Sequence, residues 1–239
     1  IWPFVIAVAI VLWDRLRTPK GAPRASFRGL VWISSIGIWT HPFLDYLNNY
    51  GMRWLMPIRN QWFYGDTLFI VDPWLYLILG GGLWLARRRR LRRETDPARR
   101  ARIAMFAALG YIGLMIGGTL FARRVVAREV GDRELMATAV PANPFTRRVV
   151  VDDGDRYRIG AASVLGARVR WDEAVAKGRQ LGTASEVLQQ SREGRAFLHW
   201  VRFPAAVTTG PPGVVRVYDI RYSDGSSPSF ASLDVTLPE

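Results

Sequence analysis

Apolar residues follow two patterns along this chain, and the change comes near residue 125. Before it they form long runs with charged residues gathered at the ends; after it they alternate with polar residues or recur at helical spacing. The run Ile1 to Trp13 is too short for a bilayer core of ~30 Å and reads as a truncated spanning helix. A second run extends from Gly29 to about Tyr50, with Gly51 placed as a helix C-cap. The third, Thr67 to Ala86, has its regular helix starting at Asp72-Pro73, an N-cap followed by proline at the first helical position. Ile103 to Ala122 contains no charge at all, and about twenty residues are enough to cross. The expectation for residues 1–125 is therefore an α-helical integral membrane domain with four spans, the first truncated. Pro19 and Pro23 break the polar stretch between the first two runs. Trp54, Trp62, Phe63 and Tyr64 suit the segment 51–72 to a loop at the membrane interface.

Residues 126–239 read as a small α+β domain. Arg147–Asp152 and Arg156–Ala161 alternate around Asp153-Gly154-Asp155, and Val214–Tyr222 and Phe230–Leu237 do so around Asp224-Gly225. Each is a hairpin signal. Between them Ser185 to Val201 carries Val187, Leu188, Phe197, Leu198 and Val201 at helical spacing, which predicts a helix laid on the sheet. Hairpins without βαβ alternation argue for antiparallel strands.

Charge supplies the topology. Residues 1–125 hold 18 Lys/Arg against 6 Asp/Glu and residues 126–239 hold 15 against 14, so the net +13 divides as +12 and +1. The excess lies in two loops, Arg15 to Arg28 and Arg87 to Arg102, which together carry 14 cations against two, Arg53 and Arg59, in the loop between. The positive-inside rule puts both loops in the cytoplasm and the C-terminal domain outside the membrane. Arg123 and Arg124 at the outer end of the fourth run are a mild exception. A basic chain raises the question of nucleic acid, but these arginines flank apolar segments and do not line one folded face. Membrane lipids, not nucleic acid, are the expected contact. With no cysteine in the chain, disulfides, thiolate metal sites and cysteine nucleophiles are excluded.

The chemistry-bearing residues cluster at the end of the second run. On a helix His41 and Asp45 share one face, with Asn48 or Asn49 continuing it. An imidazole and a carboxylate so spaced can chelate a divalent ion, and the mixed N/O donor set suits zinc, manganese or iron better than calcium. They can equally hydrogen-bond each other near the membrane surface. In Tyr64-Gly65-Asp66-Thr67 the glycine allows a tight turn that could aim Asp66 at the pair, or Asp66 is a turn aspartate. Asp72 reads as a cap. Arg53 and Arg59 could hold an anionic group such as a phosphate, or snorkel at the interface. His199 reads as a helix residue packed on the sheet. Gly80-Gly81-Gly82 eases helix packing and is no phosphate loop.

The series His41-Pro42-Phe43-Leu44-Asp45, Asn48-Asn49-Tyr50-Gly51, Trp62-Phe63-Tyr64-Gly65-Asp66 and Asp72-Pro73-Trp74, followed by an arginine-rich loop, resembles the YdjM-like family of LexA-regulated inner-membrane proteins, described as metal-dependent hydrolases. The resemblance covers roughly residues 1–125. It implies a multi-pass protein of the bacterial inner membrane, with His41 and Asp45 as ligands of a divalent metal such as zinc or manganese. Asp66 would be the carboxylate that closes the site; Arg53 and Arg59 stay candidates for contact with an anionic substrate on the reading of the residues alone. Such a metal activates water and polarises an ester or phosphoester. The family's further N-terminal histidine and aspartate motifs do not occur in this chain, so the fragment alone is expected to bind metal poorly. The other class of function is a non-catalytic anchor or sensor that presents the C-terminal domain to an envelope protein partner.

Overall fold

The computed structural model describes residues 1–19, 24–92, 96 and 98–238. Lys20 and Pro23 of the first arginine-rich loop and Arg93 of the second lie outside these residues. Four helices come first: α1 (Trp2–Arg17), α2 (Phe27–Leu47), α3 (Pro73–Leu91) and α4 (Arg99–Val130). Ser26 caps α2 by accepting from the Gly29 amide, and Asp72 caps α3 by accepting from the amides of Trp74 and Leu75. Pro73 then occupies the first helical position, where its missing N–H costs nothing. α2 ends at Asn48, three residues before Gly51. Gly51 has φ +85° and turns the following loop; it is not the helix cap that the sequence suggested.

The expected four spans are not found. Among the described residues one helix, α4, is long and apolar enough to cross a membrane. α1, with 16 residues, reaches only about 24 Å at 1.5 Å per residue. α2 is long enough, but its last turns hold His41, Pro42 and Asp45, which dilute its apolar character. α3 is apolar only from Pro73 to Ala86, about 21 Å, before it runs into Arg87 to Arg90. Apolar runs read along the sequence overlooked the short length of α1 within this chain and the polar turns of α2 and α3. In the glycine run of α3 only Gly82 is used for close packing: a Cβ there would stand 2.1 Å from that of Ala104, whereas Gly80 and Gly81 face open space.

By its internal contacts the chain divides into Ile1–Ala108 and Leu109–Glu239, so the division falls inside α4. The second unit explains why. After α4 come β1 (Leu135–Val140), β2 (Asn143–Asp152), β3 (Arg156–Ser163), β4 (Arg168–Ala176), α5 (Leu181–Gln189), α6 (Arg192–Trp200), β5 (Pro204–Thr208), β6 (Val214–Asp219) and β7 (Ser232–Thr236). Strands β1 to β4 form one antiparallel meander and β5 to β7 a second. Ala122, Val126 and Val130 of α4 pack on one face of the first sheet, against Leu135, Ala137, Val149 and Val151. On its other face Met136, Val150, Tyr157 and Ile159 meet Phe203, Ala205, Tyr218 and Ile220. The opposite face of the second sheet, Ala206, Val215, Val217 and Val235, takes Ala184, Leu188 and Phe197 of α5 and α6. The order of layers is thus helix, sheet, sheet, helix pair. Because the first sheet is covered on both sides, β1, Leu-Met-Ala-Thr-Ala-Val, is apolar at every position but the buried Thr138, without the alternation that marks a strand with one wet face.

Candidate functional site

The region that holds the expected site is built by the return of the chain onto the end of α2. Backbone amides of Gly65, Thr67 and Leu68 donate to the carbonyls of Tyr46, Leu47 and Leu47 at 2.7, 2.7 and 2.8 Å. Gly65 is required for this approach: a Cβ there would lie 2.5 Å from the Tyr46 carbonyl oxygen and 2.8 Å from Leu47 Cα. Between these anchors Met52 and Phe63 form an antiparallel bridge, and Trp54 packs edge-on against Tyr46. Asn48 Oδ1 accepts from the amides of Asn49 and Tyr50 and so holds the first turn of the loop.

Within this frame His41 Nε2 and Asp45 Oδ2 stand 3.4 Å apart on the last turns of α2, the histidine largely exposed and the aspartate about half so. That distance is close to the separation of two ligands on one tetrahedral ion with bonds of about 2.0–2.1 Å. The pair fits one edge of a coordination sphere. It does not fit a complete one: among the described residues no group of three or more His, Asp or Glu side chains is placed to hold a metal. Asp66 is fully buried, with a left-handed backbone at φ 52°. Thr67 and Asn48 beside it are also buried. Arg53 donates from Nη1 to Asn60 Oδ1 at 3.0 Å and lies over the Trp62 ring. The Arg59 side chain is exposed. His199 projects outward from α6; the residues of that helix that pack on the sheet are Phe197, Leu198 and Trp200.

A second polar arrangement joins α4 to the first sheet and escaped sequence reading. Arg147 of β2 has no exposed surface. Its Nε donates to Thr119 Oγ1, its Nη2 to the Met115 carbonyl, and its Nη1 to the carbonyls of Pro144 and Thr146. Gly118 makes room for it, since a Cβ there would stand 2.7 Å from Nη2. The only sequence trace of this contact was a cation at an inward position of a strand whose other inward residues are apolar.

These features define a class before a family: a protein whose described residues include one helix long and apolar enough to cross a bilayer, that helix running on into an antiparallel β unit. The chain belongs to the YdjM inner membrane protein family, which matches residues 1–123. The protein is accordingly a membrane protein, and the matched region ends within α4, before the first strand. No curated protein and no solved structure matches the chain.

Proposed function

We propose that the protein is an inner-membrane anchor that presents its C-terminal β unit on the extracytoplasmic side to an envelope partner. The observation that carries this reading is the continuity of α4, which extends without a break from its charge-free segment into the core of the β unit at Ala122, Val126 and Val130. A span built in this way holds the β unit by packing and not by a flexible linker. Arg87 to Arg90, Arg99, Arg100 and Arg102 precede the apolar segment and favour the cytoplasm for that end.

The absence of cysteine makes the test direct. In intact spheroplasts a membrane-impermeant maleimide is expected to label Ser227→Cys, in the β unit, and to label Ala98→Cys only after lysis. The reverse pattern overturns the proposed orientation, and labelling of both sites before lysis overturns the span.

A second reading, metal-dependent hydrolysis of a membrane-accessible ester or phosphoester, is favoured by the 3.4 Å approach of His41 to Asp45. In this reading the pair holds zinc or manganese, Asp66 supports the site from the loop that closes on α2, and Arg53 and Arg59 attract the anionic substrate. Elemental analysis of purified protein then finds metal in a fixed ratio, and His41→Ala or Asp45→Ala removes it while expression stays near normal. Metal retained by both variants, or none in the parent protein, eliminates this reading.

A further inference from the structure

Along α4 the β unit forms two clefts that meet at Phe121. The first is a slot of about 410 Å³ between α4, from Gly113 to Phe121, and both the start of β2, which carries Phe145, and the turn after β3, which carries Leu165. Ligand pockets typically measure ~300–1,000 Å³. Gly117 leaves its floor open, for nothing lies within 4 Å of where a Cβ would stand. Phe145 and Leu165 are 47% and 76% exposed although both are apolar and both border the slot. The α4 wall of the slot lies within the charge-free segment Ile103 to Ala122, so the slot and both apolar tips belong at hydrocarbon depth if α4 crosses.

The second cleft, of about 480 Å³, continues from Phe121 past Val125 to Arg128 of α4 and Arg168 of β4. Its one acidic wall residue, Glu129, accepts from Trp171 Nε1 at 2.6 Å. Arg128 lies six residues, about 9 Å along the helix, beyond Ala122, the last residue of the charge-free segment. If α4 crosses a hydrocarbon core of ~30 Å, the second cleft therefore opens on the headgroup side of that core. An apolar slot at hydrocarbon depth thus leads to a two-arginine opening at the headgroup level, and arginine forks match phosphate oxygens.

We propose that this groove binds one anionic phospholipid of the surrounding membrane, an acyl chain in the slot lined by Gly117 and Phe145 and the phosphate between Arg128 and Arg168. The proposal rests on α4 crossing the membrane, as in the anchor reading above. It is tested on the full chain in detergent, stripped of lipid and titrated with phosphatidylglycerol, with bound lipid counted by native mass spectrometry. One phosphatidylglycerol per chain is expected, and phosphatidylcholine should bind at least about tenfold more weakly. Arg128→Glu combined with Arg168→Glu should weaken phosphatidylglycerol by about tenfold or more, and Gly117→Phe should displace it, whereas Gly117→Ala should stay within about twofold. Equal binding of the two lipids, or binding unchanged in the charge-reversed and Gly117→Phe proteins, overturns the site. Competition by glycerol phosphate as strong as by the lipid overturns the acyl slot. Maleimide labelling of Ser227→Cys reads the span independently, so lost lipid binding with the expected labelling refutes the lipid site alone.

Discussion

Asp219 and Arg221 have no exposed side-chain surface, and the carboxylate receives Arg221 Nη2 at 2.7 Å and the Arg202 amide at 2.9 Å. Arg221 also donates to the Trp200 carbonyl and lies over the rings of Trp200 and Tyr222. A buried pair of this kind adds little against an apolar replacement, but removal of one partner leaves a charge stranded in low dielectric. Asp219→Ala is therefore expected to cost about 3–5 kcal/mol, seen as a lowered unfolding midpoint by circular dichroism. The double replacement Asp219→Leu with Arg221→Met should recover most of that loss. None of this was legible in sequence, where 214–222 read as one alternating strand. The strand stops at Asp219, and only the packing of Trp200 and Tyr222 buries both charges. Gly65 is the opposite case: its spacing already suggested a tight turn, and the structure supplies the reason in the Tyr46 carbonyl it must pass.

At the scale of elements, strand β7 is held to β6 in part by Arg216 and Asp234, which are register partners. Arg216 Nε and Nη2 reach the two carboxylate oxygens at 2.6 and 2.8 Å. This fork, the first cause of the shift, holds the Asp234 carboxyl below its ordinary value of 3.8. A lowered carboxylate pKa means that the stabilisation is fully present above the ordinary value and is lost as pH falls through the lowered one. Unfolding midpoints should thus drop below about pH 4, and Asp234→Asn should flatten that part of the profile; an unchanged profile refutes the assignment. The effect is small because Asp234 is about 43% exposed and water screens the pair. Both expected hairpins formed, β2 with β3 and β6 with β7, because alternation and Gly-containing turns are local signals. The single helix expected over 185–201 is two, broken at Gln190 and capped afresh by Ser191, whose hydroxyl accepts from the Gly194 amide. β4 went unread because its Arg-Val-Arg-Trp-Asp-Glu pattern is that of a mostly exposed strand with few apolar positions.

For the whole molecule the distribution of charge matters more than its sum. The cations before the apolar segment of α4 are expected to hold that end of the helix in the cytoplasm, against Arg123, Arg124 and Arg128 at the other end. Replacement of Arg87 to Arg90, Arg99, Arg100 and Arg102 by glutamine should reverse the bias. Ser227→Cys should then escape the impermeant maleimide in a substantial fraction of molecules; undiminished labelling would show that these arginines do not set the orientation.

The sequence by itself determined the helical N-terminal part, the antiparallel hairpins, the Asp72 cap and the facing of His41 and Asp45, all of which depend on residues a few positions apart. The family motifs are local in the same sense. Tertiary structure alone decided that Asp66 is buried and that Arg147 reaches into α4. It also decided that β1 is covered on both faces and that a slot on α4 ends at Arg128 and Arg168. Each of these depends on what a distant segment places against a residue, and burial by a distant segment leaves no periodic trace in the chain.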